Sequence, residues 1–239
     1  MRKLWFGTFY AYFKKEILET VTTMRVILLL SIFSSCVMQH VIVQAVEQVW
    51  VDNNTFSSQL GYLLIYLDLM LLLFFGHTLI NRFVYEEKTQ KTICIMLGSG
   101  MSKTAMWAAK LLATFLMSYA ILLVSIASHM IVTKVIYGIW IQFTLISGLL
   151  VFFSIPMLCF GFLSLVSVAY WFFSNMQVFS FVFPLVTYLG IWNIAVKLVT
   201  LTYPVPLVFV TVLIGIICFL IAFVLVKHIP KERIIAYRT

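Results

Sequence analysis

The chain has 239 residues, 63% of them hydrophobic and only 10% charged, with a mean hydropathy of +1.09. Soluble domains carry roughly 25% charged residues, so this composition excludes a water-soluble globular fold and places most of the chain in lipid. The net charge of +8 does not point to nucleic acid, because the basic residues cluster beside apolar runs, where they set orientation in a membrane.

Residues 3–23 read as an amphipathic helix lying in the membrane interface, the alternative being a simple cytoplasmic extension of the first span. Trp5, Phe9, Tyr12 or Phe13, and Ile17 recur at helical spacing, while Lys14, Lys15, Glu16 and Glu19 supply the polar positions. The apolar run that starts near Val26 is longer than a signal-peptide core and lacks a small-residue cleavage site. Six spans are predicted, at about 26–46, 60–80, 104–132, 140–168, 177–196 and 207–226, each near or above the roughly 20 residues that cross the hydrocarbon. The third and fourth are long enough to tilt. Lys197 and the segment Thr202-Tyr203-Pro204-Val205-Pro206 break the pattern at the end of the fifth. The expected fold is all-α integral membrane: one domain, with an interfacial N-terminal helix, a six-span bundle over 26–226 and a tail at 227–239.

Orientation follows from charge. Arg2, Lys3, Lys14, Lys15 and Arg25 precede the first span. Arg82, Lys88, Lys91 and Lys103 lie between the second and third, and Lys227, Lys231, Arg233 and Arg238 follow the last. The opposite side carries only Lys134 and Lys197. The positive-inside rule puts both termini and the polar loop in the cytoplasm of a multi-pass plasma-membrane protein.

Residues that could carry chemistry are few. Cys36, Cys94, Cys159 and Cys218 have neither metal-ligand nor disulfide-framework spacing and read as packing residues. His40, His77, His129 and His228 occur singly and read as polar packing. Gly98-Ser99-Gly100-Met101-Ser102-Lys103-Thr104 is not a phosphate-binding loop, since Ser102 stands where glycine must precede the lysine. No metalloprotease or serine-hydrolase motif occurs. The expectation is a chain that is not itself an enzyme and binds no metal or cofactor.

Asp68 stands out, near the middle of the second span, where an ionised carboxylate costs several kcal/mol unless paired or hydrated. It is expected to face the bundle interior or a water-filled cavity. With Tyr62, Tyr66, and Phe179, Phe183 and Tyr188 of the fifth span, it is a candidate for a transport path. The other reading is a structural pair with Lys197, His129 or a tyrosine, or a carboxyl held neutral by burial. Lys110 is expected to snorkel to the headgroups from the third span, beside a small-residue stripe, Ala105, Ala109 and Ala113, that permits close helix approach. Pro156 is expected to kink the fourth span, with Gly161 as a following hinge.

The run Glu87-x4-Thr92-x3-Met96-Leu97-x2-Gly100-Met101-Ser102-x7-Lys110 resembles the cytoplasmic loop of type-2 ABC exporter permeases. In that family an acidic residue precedes a threonine, then a Leu-Leu-x-x-Pro-x-Ser segment, then a lysine that opens the third span. Gly100 and Met96 stand here in place of the proline and the first leucine. The span layout is similar too, and Lys91-Thr92 is similar to shorter lantibiotic-immunity permeases. The resemblance implies a half-transporter in which two permease subunits, identical or paralogous, pair with a cytoplasmic ATPase dimer. ATP and magnesium would sit on that partner. The loop would be a coupling helix, built from Tyr85, Glu86, Glu87, Lys88, Lys91, Thr92, Ile93, Met96 and Leu97. One short helix from Tyr85 to Leu97 would present Ile93, Met96 and Leu97 as an apolar knob, with Glu86, Glu87, Lys88 and Lys91 as its charged rim. The aromatic-rich bundle suits a hydrophobic or amphipathic cargo such as an antimicrobial peptide, drug or lipid-like molecule. The alternatives are a stand-alone proton-coupled transporter or channel using Asp68, and a non-transporting receptor or assembly subunit.

Overall fold

The structure is a computed structural model that describes residues 2–23, 53–98, 102–142, 144–172 and 205–230, together with positions 25, 29, 32–33, 36–37, 39–40, 43–44 and 234. Every regular element among these residues is helical. Helix α1 spans Arg2–Thr23. Helix α2, Asn53–Ile80, runs without a break into a π-helical stretch, Asn81–Glu86, and then into the single turn α3, Glu87–Thr89. Next come α4 (Thr92–Gly98), α5 (Lys103–Tyr137) and α6 (Leu145–Leu149). A second π-helical stretch, Leu150–Ser154, joins α6 to α7 (Ile155–Phe172), and α8 covers Val205–His228.

Four helices are long and apolar enough to cross a membrane, over Leu67–Val84, Lys103–Tyr137, Leu145–Phe172 and Val208–His228. These correspond to the predicted second, third, fourth and sixth spans. Most of the predicted first span and all of the fifth lie outside the described residues. Within Leu67–Val84, 61% of residues are buried, against 17% in Val208–His228. The second span therefore forms the centre of the bundle and the last one its flank.

Local chemistry sets the ends of α5. Ser102 is extended (φ −74°, ψ 134°) and its Oγ accepts from Ala105 N–H at 3.1 Å, an N-cap. The lysine that follows is thus the first residue of a helix. At the other end Gly138 takes a left-handed conformation (φ 69°) and its N–H donates to the Lys134 carbonyl at 3.1 Å, the usual glycine stop. Thr144 caps α6 in the same way as Ser102, accepting from Ser147 N–H at 3.2 Å.

At Pro156 the structure shows a change of winding in the preceding turn. Proline lacks the N–H that would bond four residues back, and Leu150–Ser154 winds as a π-helix just ahead of it. Gly161 sits at a close approach of two backbones. A methyl group there would meet the Gly215 carbonyl oxygen at 2.0 Å, and one on Gly215 would meet the Met157 carbonyl oxygen at 2.3 Å. The pair lets the backbones of α7 and α8 touch, as small residues do at membrane-helix crossings. Ser154 reaches the Val208 carbonyl at 3.3 Å and the Thr211 hydroxyl. The crossing at Gly161 and Gly215 follows seven residues on, so the two helices run parallel.

The stretch predicted as one helix from Tyr85 to Leu97 is two pieces. Lys91 adopts φ 59°, a left-handed conformation that L-residues seldom take and that breaks helical winding. It separates α3 from α4. Packed beneath that break is the largest apolar cluster among the described residues, in which Ile93, Met96 and Leu97 meet Trp107 and Leu111 of α5, Tyr170 and Trp171 of α7, and Val226 of α8.

Candidate functional site

The polar loop is seated on a knot of buried charges. Lys110 of α5 lies 2.7 Å from Glu16 Oε1 of α1 and 2.7 Å from Glu87 Oε2 of α3. Glu87 Oε1 also faces Lys15 Nζ at 3.3 Å, and Lys15 in turn lies 3.6 Å from Glu19. The Lys110 ammonium sits 5.7 Å from the centroid of Phe83, over its ring. Lys110 and Glu16 are buried, their side chains 3% and 0% exposed. One cation thus bridges two carboxylates from different elements and fixes α1, α3 and α5 to one another.

The neighbouring residues extend this seat. Lys88 is also buried, and its Nζ donates to the Trp171 carbonyl at 3.2 Å, near the end of α7. Lys103 donates to the Lys227 and Ile229 carbonyls at 2.7 and 2.5 Å. These are carbonyls left without helical partners at the end of α8, and a lysine there is favourable. The loop and the start of α5 are therefore joined by charged contacts to α1, α7 and α8.

Electrostatics in the knot are asymmetric. Burial pushes the Glu16 carboxyl upward from its ordinary 4.5, and Lys110 only partly offsets this while Glu87 adds to it. Glu16 Oε2 has no hydrogen-bond partner among the described residues. For Lys15, burial pulls its ammonium down, but Glu87, Glu16 and Glu19 outweigh this and the net shift is up.

Several sequence expectations change here. Lys110 does not snorkel, because it is pinned inside the fold. Glu16 is not on the solvent face of α1; it is buried, as is Thr20 one turn on, with Tyr12 packed against the core nearby. Ile93, Met96 and Leu97 are 1%, 5% and 5% exposed, so the apolar knob points into this chain's own core. Glu87 and Lys88 are likewise turned inward instead of forming an outer rim. Glu86, Gln90, Lys91 and Ile95 are the exposed residues, with Ile95 at 74%, and Thr92 is half-buried. The side chain of Tyr85 lies outside the described residues.

Asp68 belongs to a second, separate cluster in the middle of the bundle. It is fully buried. Its Oδ1 accepts from Ser125 Oγ at 2.6 Å and lies 3.0 Å from His129 Nε2. His129 Nδ1 faces Gln39 Oε1 at 2.6 Å. Asp68 thus faces the bundle interior, as expected of it, and His129 is the partner it meets there among the described residues. Lys197, Phe179, Phe183 and Tyr188 lie outside the described residues, as do the side chains of Tyr62 and Tyr66. A cavity of about 10 Å³ beside the pair has room for a single water.

Sequence reasoning missed Glu16 as a partner of Lys110, and Ser125, Thr133 and Gln39 as partners of His129. A signal existed for most of them. Glu16 lies four residues after Tyr12 and four before Thr20, on the same helical stripe. Ser125, His129 and Thr133 recur at intervals of four along α5, which aligns them on one face. Comparison with known protein families, curated proteins and solved structures returns no match for this chain.

Proposed function

We propose that the chain is the membrane subunit of an ATP-driven ABC exporter, energised by a separate cytoplasmic ATPase dimer and paired with a second permease subunit, identical or paralogous. The observation that carries this reading is the seating of the polar loop. A loop that only marked membrane sidedness would be solvated. This one is bound through Glu87, Lys88 and Lys103 to α1, α5, α7 and α8. A push on its outer face would be transmitted to four helices, as a force-coupling element requires. The surface that would meet the ATPase is the exposed set Glu86, Gln90, Lys91 and Ile95, with Ile95 as its apolar contact. The inward residues Ile93, Met96 and Leu97 would transmit the push to the bundle.

Six crossings remain our reading of the topology. The helical positions between 25 and 44 include Gln39, which meets His129 and Thr133 well along α5. The parallel course of α7 and α8 requires residues 173–204 to connect opposite ends of the bundle, which supports a fifth crossing. The basic residues around the loop favour a cytoplasmic face for it, with α1 as an interfacial helix against the lipid. The cargo that suits so apolar and aromatic a bundle is a hydrophobic or amphipathic molecule, and peptide immunity is a role compatible with it.

Co-purification with the ATPase tests the proposal. Ile95→Asp should reduce recovery of a co-expressed ATPase by about tenfold or more, the scale of a lost interface anchor. The variant should leave the chain itself monodisperse, because this side chain is exposed. Transport by the purified chain alone, driven by a proton gradient without nucleotide, would overturn the reading and favour a secondary transporter.

A further inference from the structure

The cluster at Asp68 constrains where its hydrogens sit. Thr133 Oγ1 donates to the His129 carbonyl at 2.7 Å. Gln39 Nε2 donates to the same carbonyl at 2.9 Å, and to the Thr133 oxygen. A carbonyl can only accept, so the Gln39 amide must turn its nitrogen toward that carbonyl. Its Oε1 then faces His129 Nδ1 at 2.6 Å. An amide oxygen also only accepts, so Nδ1 carries a hydrogen.

The other ring nitrogen completes the count. Nε2 lies 3.0 Å from Asp68 Oδ1. Without a proton between them, a bare nitrogen would face an ionised carboxylate, lone pair to lone pair, with both residues 1% exposed or less. That arrangement is costly in a buried site. Ser125 cannot relieve it. Its hydroxyl hydrogen goes to Asp68 at 2.6 Å, so toward Nε2 at 3.3 Å it offers only lone pairs.

We infer that Asp68 and His129 form a proton-binding site, a neutral buried pair holding one exchangeable proton in addition to Nδ1–H. Gln39 acts as a positioning residue that keeps the ring in the tautomer requiring that proton. Among the described residues, the polar groups facing the pair include Ser125 and Thr133 of α5 and Gln39. The rest of the adjoining cavity is lined by Gly61, Leu64, Ile65, Ile126 and Ile141, and its single-water size offers a first acceptor for a departing proton. Because Gln39 and His129 sit on different helices, their separation breaks the Nδ1 contact and frees the ring to change tautomer. Occupancy of the site is thereby tied to how those two helices meet. The site rests on hydrogen-bond geometry alone and does not depend on the exporter reading.

Nitrogen-15 histidine and carbon-13 aspartate magnetic resonance of the purified chain in lipid nanodiscs tests this at neutral pH. Signals are assigned by loss in His129→Gln and Asp68→Asn. The expected result is a protonated Nδ1 plus one proton in the Asp68–Nε2 contact, on either partner. In Asp68→Asn the side-chain amide donates to Nε2, so that nitrogen should give a signal in the bare, accepting range. In Gln39→Leu the Nδ1 hydrogen should be lost and the ring's hydrogen should be found on Nε2, facing Asp68. A wild-type spectrum with a bare Nδ1, or with no proton or two protons in the contact, overturns the site. An unchanged ring spectrum in Gln39→Leu overturns the positioning role. None of these readouts involves the ATPase, so failure here and failure of the exporter proposal are separate results.

Discussion

Replacing Lys110 with methionine removes the cation that two carboxylates share, while keeping most of the side-chain volume. Glu16, with no exposed side-chain surface, would lose its 2.7 Å partner, and among the described residues Glu87 would keep the half-exposed Lys15. Removing one partner of a buried ion pair costs about 3–5 kcal/mol. An independent route gives a similar figure. The cheapest relief is for Glu16 to take up a proton. From its ordinary value of 4.5, that costs about 3.4 kcal/mol at about pH 7, at roughly 1.36 kcal/mol per pH unit. Burial already pushes this carboxyl up, which reduces the cost, so a loss of about 3 kcal/mol is expected. The double variant Glu16→Gln with Lys110→Met leaves no uncompensated charge and should recover at least about 1 kcal/mol, a coupling expected of residues in contact. Trp107 and Trp171 are 3% and 0% exposed and lie in the cluster beneath the loop, so tryptophan fluorescence during denaturant titration in mixed micelles reads the change. A Lys110→Met variant within about 0.5 kcal/mol of the wild type, or a double variant no more stable than the single, would show that the knot does not hold the loop.

Two further outcomes follow from the same geometry. Because the folded Glu16 carboxyl is raised above its ordinary 4.5, the folded state binds its proton more tightly than the unfolded state. Stability from this group is therefore highest in acid and falls as pH rises from the ordinary value through the raised one; Glu16→Gln should remove this fall, seen as a flatter profile of melting temperature against pH. Gly161→Ala places a carbon 2.0 Å from the Gly215 oxygen, which backbone atoms cannot yield to locally. Forcing α7 and α8 apart should cost about 1–3 kcal/mol or more, read as a lower midpoint in the same titration, and an unchanged midpoint would mean that the two backbones do not meet there.

The sequence revealed the elements that repeat a simple pattern and hid those that depend on pairing across the chain. The long apolar runs located four helices because length and hydropathy alone specify them. Ser102 and Gly138 set the limits of α5 through cap chemistry that acts over three or four residues, a local signal that the predicted span at 104–132 did not use. Asp68 was conspicuous as an unmatched charge, yet its partner was one of several candidates, because contact between residues 61 positions apart is set by packing and not by local spacing. Lys110 gave the wrong expectation for the same reason. A lysine near a span end has two ways to avoid desolvation, headgroups or a buried carboxylate, and the choice depends on where α1 lies. The inward turn of Ile93, Met96 and Leu97 was hidden as well. The π-helical turn before Glu87 and the left-handed Lys91 rotate that segment away from the register of one continuous helix.

The contacts of Lys103 and Lys110 fasten opposite extremes of the polypeptide to the first turns of one helix: α1 through Glu16, and the end of α8 through the Lys227 and Ile229 carbonyls. Residues 16 and 229 thus share a pole of the molecule with the turn at Lys91. Sidedness is then a single unknown instead of three, and an impermeant reagent directed at any one of these places reports the address of the others.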